Sequence, residues 1–129
     1  MPRNIDLTEA EWTLREQLWG APGQTGRALT DALHAKTSWA RSTTLTLLRR
    51  LTEKGAVRTE VRDGMHVYFP AVSREDAAAR QTRDLLGRVY HGSLSLLVSA
   101  MTREEALSKA EIDELYAILD EMEAKQSDA

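Results

Sequence analysis

The 129 residues, 42% hydrophobic and 29% charged, describe an ordinary folded chain, sized for one domain or for a small domain with an appendage. With no cysteine, a disulfide framework, a thiolate metal site and a thiol redox switch are excluded, and with no apolar run of about 18 residues no membrane insertion is expected. The net charge of −3 is unevenly placed: the stretch 36–62 holds Lys36, Arg41, Arg49, Arg50, Lys54, Arg58 and Arg62 against Glu53 and Glu60, a concentrated basic segment suited to a polyanion.

In chain order, MPRNIDLTEAEW lacks an apolar signal core, so a cytoplasmic protein is expected. LTEAEWTLREQLW reads as a first helix. Thr8 and Glu11 form a capping box, and Leu7 and Trp12 are placed as a hydrophobic staple. Trp12, Leu14, Leu18 and Trp19 give it an apolar face, and Gly20 with Pro22 ends it. Thr25 or Gln24 opens a short second helix, TGRALTDALHAK, with Leu29, Ala32 and Leu33 as its buried stripe. A short connection leads to WARSTTLTLLRRLTEKG, a third helix. Its expected buried stripe is Leu45, Leu48 and Leu51, flanked by Leu47, and Gly55 stops it.

After Gly55 the period drops to two. Val57, Thr59 and Val61 alternate with Arg58, Glu60 and Arg62, and Met65, Val67 and Phe69 alternate with His66 and Tyr68 as far as Pro70. Asp63-Gly64 between them is a hairpin turn, because both central residues need positive φ. The remainder is helical. Ser73 caps SREDAAARQTRDLLGRVY, with Glu75 and Asp76 placed favourably for the helix dipole, and Gly92-Ser93 breaks it. Leu94, Leu96, Leu97 and Val98 form a brief apolar run. Thr102 with Glu105 and Ser108 with Glu111 are capping-box patterns, and the last helix carries Ile112, Leu115, Tyr116, Leu119 and Met122.

Three short helices and a hairpin spell a winged helix-turn-helix over 1–72, followed by a helical region over 73–129: a mainly α fold with a small β-hairpin. In such a fold the third helix enters the DNA major groove. Arg41 is placed to bond guanine bidentately, and Ser42, Thr43 and Thr46 to meet bases or phosphates. Arg49 and Arg50 lie further along, suited to phosphates, and Arg58 and Arg62 would let the hairpin touch backbone or minor groove. The plainer reading makes the hydroxyls caps and the arginines solvated; the coincidence of the basic excess with these elements favours double-stranded DNA. An enzyme is not expected. His34, His66 and His91 are scattered, and neither a metal site nor a cofactor motif is apparent. Two other readings compete: a winged-helix protein-interaction module, and a small-molecule-responsive regulator with Trp12, Trp19 and Trp39 lining a pocket.

The chain resembles the penicillinase and methicillin-resistance repressor family, the BlaI/MecI/CopY group. The resemblance rests on LTEAEWTLREQLW, on WARSTTLTLLRRLTEKG with Trp39, Thr43, Arg50-Leu51 and Lys54-Gly55, on HVYFPAVSRED, and on GSLSLLVSAM followed by LSKAEIDELYAILD. It implies a homodimeric transcriptional repressor of a two-fold related operator, with 73–129 as the dimerisation region. Leu97, Ile112, Leu115, Tyr116, Leu119 and Met122 would then form the interface. It also implies release by proteolysis through a membrane sensor-protease system. The family's scissile Asn-Phe bond aligns with Ser99-Ala100, a pair of small residues. The copper-responsive members' cysteine pattern is missing, which excludes a copper-thiolate switch. Arg41 stands where the family has a proline and Ser42 where it has a basic residue, so the family's operator sequence does not carry over.

Overall fold

The computed structural model describes residues 7–104 and 107–127. The elements are α1 (Leu7–Gly20), β1 (Gln24–Thr25), α2 (Gly26–Thr37), α3 (Arg41–Glu53), β2 (Val57–Arg62), β3 (Met65–Pro70), α4 (Arg74–Tyr90), α5 (Leu94–Arg103) and α6 (Lys109–Ser127). They fall into two compact units, 1–79 and 80–129.

The first unit is organised around one apolar core built from Leu14 and Leu18 of α1, Leu29 and Leu33 of α2, Leu47, Leu48 and Leu51 of α3, and Val57 of β2. On α1 the buried stripe runs Ala10, Leu14, Leu18, one residue every turn. Trp12 and Trp19, expected on that stripe, are half-buried beside it and pack edge-on to each other at 5.0 Å. The expected Leu7–Trp12 staple and Thr8–Glu11 capping box involve the side chains of Leu7 and Thr8, which lie outside the described ones. Thr25 caps α2 by accepting a hydrogen bond from the Ala28 N–H at 3.1 Å. In α2 the expected Ala32 is half-buried while Thr30 is buried, which its hydroxyl tolerates by donating to the Arg27 carbonyl at 2.9 Å.

The stripe of α3 differs from the expected one. Thr44, Leu47, Leu48 and Leu51 are buried, spaced three, one and three, and Leu45 is 39% exposed. A helix turns about 100° per residue, so a stripe through 44, 47, 48 and 51 leaves 45 off the core side. The apolar pattern preferred leucine to threonine at adjacent positions, and packing reversed the preference.

The hairpin forms as read, with Asp63 at φ 52° and Gly64 at φ 77°. Its register pairs Val57 with Pro70, Thr59 with Tyr68, Glu60 with Val67 and Arg58 with Phe69. Residues directly opposite share a face, so Tyr68 joins Val57 on one side while Val67 and Phe69 lie on the side of the charged residues. A third strand, not foreseen, completes the sheet in the order β1-β3-β2, with Gln24 opposite Tyr68 and Thr25 opposite Val67. Two residues are too few to display an alternating pattern, so nothing in the sequence announced β1.

Ser73 caps α4, its Oγ accepting from the Asp76 N–H at 3.1 Å. Within the first unit, Arg74 forks onto Glu16 through two hydrogen bonds of 2.7 and 3.1 Å. Trp19 donates its indole N–H to the Val72 carbonyl at 2.9 Å. In the second unit, His91 and Gly92 take positive φ after α4, and Ser93 caps α5 through the Leu96 N–H. Thr102 sits inside α5 and donates to the Ser99 carbonyl; its expected partner Glu105 lies outside the described residues. Ser108 caps α6, accepting from the Glu111 N–H at 3.2 Å. Neither α5 nor α6 has a buried residue.

Candidate nucleic-acid interface

The interface starts at a helix end. Ala40 occupies the N-cap of α3 and no side chain caps it. The hydroxyls of Ser42 and Thr43 are therefore inside the helix and are not cap groups. With the core side fixed by Thr44, Leu47, Leu48 and Leu51, helical geometry puts Ser42, Thr46, Arg49 and Glu53 near the middle of the opposite side. Arg41 and Leu45 lie on one flank, and Thr43 and Arg50 on the other. Arg41, Ser42, Thr46, Arg49 and Arg50 are exposed, and Thr43 is half-buried. The structure thus gathers all six α3 residues picked from the sequence on the outward part of one helix, and adds Leu45, which the apolar pattern had hidden in the core.

The seven cations of the basic segment are not equally available. Lys54 binds the Glu11 carboxylate at 2.8 and 3.0 Å, and Lys36 donates to the Gln17 side-chain oxygen at 2.5 Å. These two fasten α3 and α2 to α1. Arg49 has Glu53 3.7 Å away, one turn along, with both side chains exposed. Such a surface pair is worth little and yields readily to a stronger anion. Arg41 and Arg50 form no ion pair among the described residues.

On the hairpin, Arg58, Glu60 and Arg62 alternate onto one face. Arg58 donates to one oxygen of Glu60, and Arg62 donates to the other from two nitrogens at 2.9 and 3.2 Å. Both guanidinium groups lie over the Phe69 ring, at 4.4 and 4.8 Å from its centroid. The hydrogen bonds from Arg58, and then those from Arg62, hold the Glu60 carboxyl below its ordinary value. Each arginine keeps unused N–H donors, because a guanidinium carries five. On α1, the Glu16 carboxyl is likewise lowered by Arg74.

The other singled-out residues are dispersed. His34 Nδ1 is 3.0 Å from the Trp39 carbonyl, and His66 and His91 are exposed. Among the described residues no group of three or more His, Cys, Asp or Glu could hold a metal ion. Trp12 and Trp19 meet edge-on with Arg15 over both rings, whereas Trp39 packs against the apolar core. Leu97 and Leu115 are half-buried, and Ile112, Tyr116, Leu119 and Met122 are exposed, as is Ile118, which the sequence reading did not single out. Ser99 is exposed and Ala100 half-buried, both within α5. Among the described residues no helix is long and apolar enough to cross a membrane.

The profile of the penicillinase repressor family matches residues 7–121. The chain is 28% identical to the penicillinase repressor of Bacillus licheniformis, over 94% of each chain. It is 25% identical to the methicillin resistance regulatory protein MecI of Staphylococcus aureus, over 91% of this chain and 95% of that one. Among solved structures, the DNA-binding domain of the repressor BlaI superimposes with a TM-score of 0.49 at 25% identity, covering 57% of this chain and 87% of that one.

Proposed function

The chain belongs to the penicillinase repressor family, and on that premise we propose that it is a cytoplasmic, dimeric transcriptional repressor that binds a two-fold related operator through its winged helix. The observation that carries the reading is the face of α3. Opposite a fully buried stripe it presents Ser42, Thr46 and Arg49, with Arg41 exposed on one flank and Arg50 on the other, and with hydroxyls that cap nothing.

The roles follow from position. Arg41, at the first turn of α3, reads a base edge, with guanine as its best partner. Ser42, Thr43 and Thr46 bond bases or phosphates. Arg49 and Arg50 take phosphates further along the groove. Arg58 and Arg62, already aligned by Glu60 over Phe69, offer their free N–H groups to the sugar-phosphate backbone beside the hairpin. A second chain covers Leu97, Ile112, Leu115, Tyr116, Leu119 and Met122, joining two DNA-binding units as a two-fold operator requires. Release would come from a membrane sensor-protease system cutting Ser99-Ala100. That bond lies inside α5, so cleavage needs this helix to open first.

The test is selection of bound duplexes from a random DNA pool by the purified protein, followed by a salt titration on the winner. The expected result is a two-fold symmetric site whose log affinity falls steeply with log salt, by about 0.9 per phosphate neutralised. No enrichment, with little salt dependence, would overturn the reading in favour of a protein-binding winged helix.

A further inference from the structure

Leu45 is the residue of α3 that the apolar pattern assigns to the interior and the fold turns outward. It is 39% exposed. Its neighbours one turn before and after, Arg41 and Arg49, are exposed, as are Ser42 and Thr46 on the same side. The side chain lies close to the start of α2: a Cβ added at Gly26 would come 4.0 Å from Leu45 Cδ2. One methyl of Leu45 thus lies near the start of α2, while the residue as a whole stays partly exposed.

This places a partly exposed apolar group in the first half of α3, among guanidinium and hydroxyl groups. The one methyl group on the floor of a major groove is the C5 methyl of thymine. Bringing Leu45 onto that methyl removes apolar surface on both sides from water. A polar side chain at this position would instead press an unpaired donor or acceptor against the methyl. We propose that Leu45 is a specificity-determining residue that selects thymine by packing on its C5 methyl. The inference rests on the DNA-binding reading above and adds to it a base preference not supplied by hydrogen bonds.

The chemistry allows a test that removes only the methyl. In the selected duplex, each thymine is replaced in turn by deoxyuridine, and affinities are measured for the wild-type protein and for Leu45→Ala. Alanine at an exposed helix position favours the helix, so the variant keeps its fold, checked by an unchanged thermal melt. At one thymine, or at one symmetry-related pair, deoxyuridine should weaken the wild type about fourfold per site, the worth of burying one methylene-sized group. The same replacement should leave Leu45→Ala unaffected. Equal deoxyuridine effects on both proteins, or no effect on the wild type, would overturn the role of Leu45 while leaving the repressor reading intact. Failure to select any duplex would overturn both, and is seen before the first replacement is made.

Discussion

Arg41 stands at the first turn of α3 and Arg50 at its last, and neither is committed to a carboxylate among the described residues. Their separation along the groove predicts different losses. Arg41→Ala should cost about 1–3 kcal/mol at one base pair and relax selection there, whereas Arg50→Ala should weaken all duplexes alike and lower the salt slope by about one. Anisotropy titrations on the selected and on scrambled duplexes separate the two; equal losses on every duplex for both would refute the base-reading role of Arg41. Glu60 acts in the opposite sense. Held below its ordinary value by Arg58 and Arg62, it stays ionised at neutral pH and faces an approaching phosphate with a negative charge. Its pairing is present above the unfolded-state value and is lost as pH falls through the lower folded value, so the hairpin ion pairs should persist until the solution is more acidic than an ordinary glutamate requires. Glu60→Gln should tighten binding to random duplexes a few-fold at low salt and steepen the salt slope, since it releases two arginines. Thr44 shows why the α3 face was only partly legible. Leucine outranks threonine for burial in any sequence reading, yet Thr44 is fully buried and its hydroxyl has no hydrogen-bond partner among the described residues. Removing such a group should help the fold: Thr44→Val is expected to raise stability by about 1 kcal/mol, read as a shifted denaturant midpoint.

The elements themselves were legible where local chemistry dictates them. Thr25, Ser73 and Ser108 cap helices as read, because each hydroxyl lies within reach of the N–H three residues on; Ser93, read only as part of a break, caps α5 in the same way. Asp63-Gly64 makes the hairpin because two successive positive φ angles suit few other pairs. What depends on distant partners was not legible: β1 exists only because Gln24 and Thr25 meet β3, and the register that moves Tyr68 to the core side is settled by packing against the helices. The turn gives a clean test of the hairpin as a unit. A Cβ at Gly64 would meet nothing within 4 Å, so replacing it brings no clash, only the cost of left-handed backbone. Gly64→Ala should therefore destabilise by about 1–2 kcal/mol. Gly64→Asn should recover much of this, since asparagine tolerates that region. If the hairpin touches DNA, affinity should follow the same order; a thermal melt and a binding titration on the three proteins check both.

At the scale of the whole molecule the charge and the apolar surface divide the labour. Residues 1–72 hold ten Lys/Arg against eight Asp/Glu, and 73–129 hold seven against twelve, so attraction to a polyanion is confined to the winged part. The acidic part instead carries exposed apolar side chains on α6, where Tyr116 is 65% and Met122 53% exposed. A 19-residue helix with no buried residue has little to hold it in a single chain. The stripe Ile112, Leu115, Tyr116, Leu119, Met122 was plain in the sequence, but an apolar stripe does not name its cover; on the proposed reading that cover is a second molecule. Leu115 is the half-buried centre of the stripe, so a charge there should be costly only if the face is covered. Leu115→Asp should convert a dimer to a monomer by sedimentation. It should also lose affinity for the full symmetric site while its affinity for one half-site stays unchanged, because the winged unit has its own core. A variant that remains dimeric would refute this interface. One that loses half-site binding as well would show that the damage had reached the DNA-binding unit, and a substitution at Tyr116 would then have to carry the test.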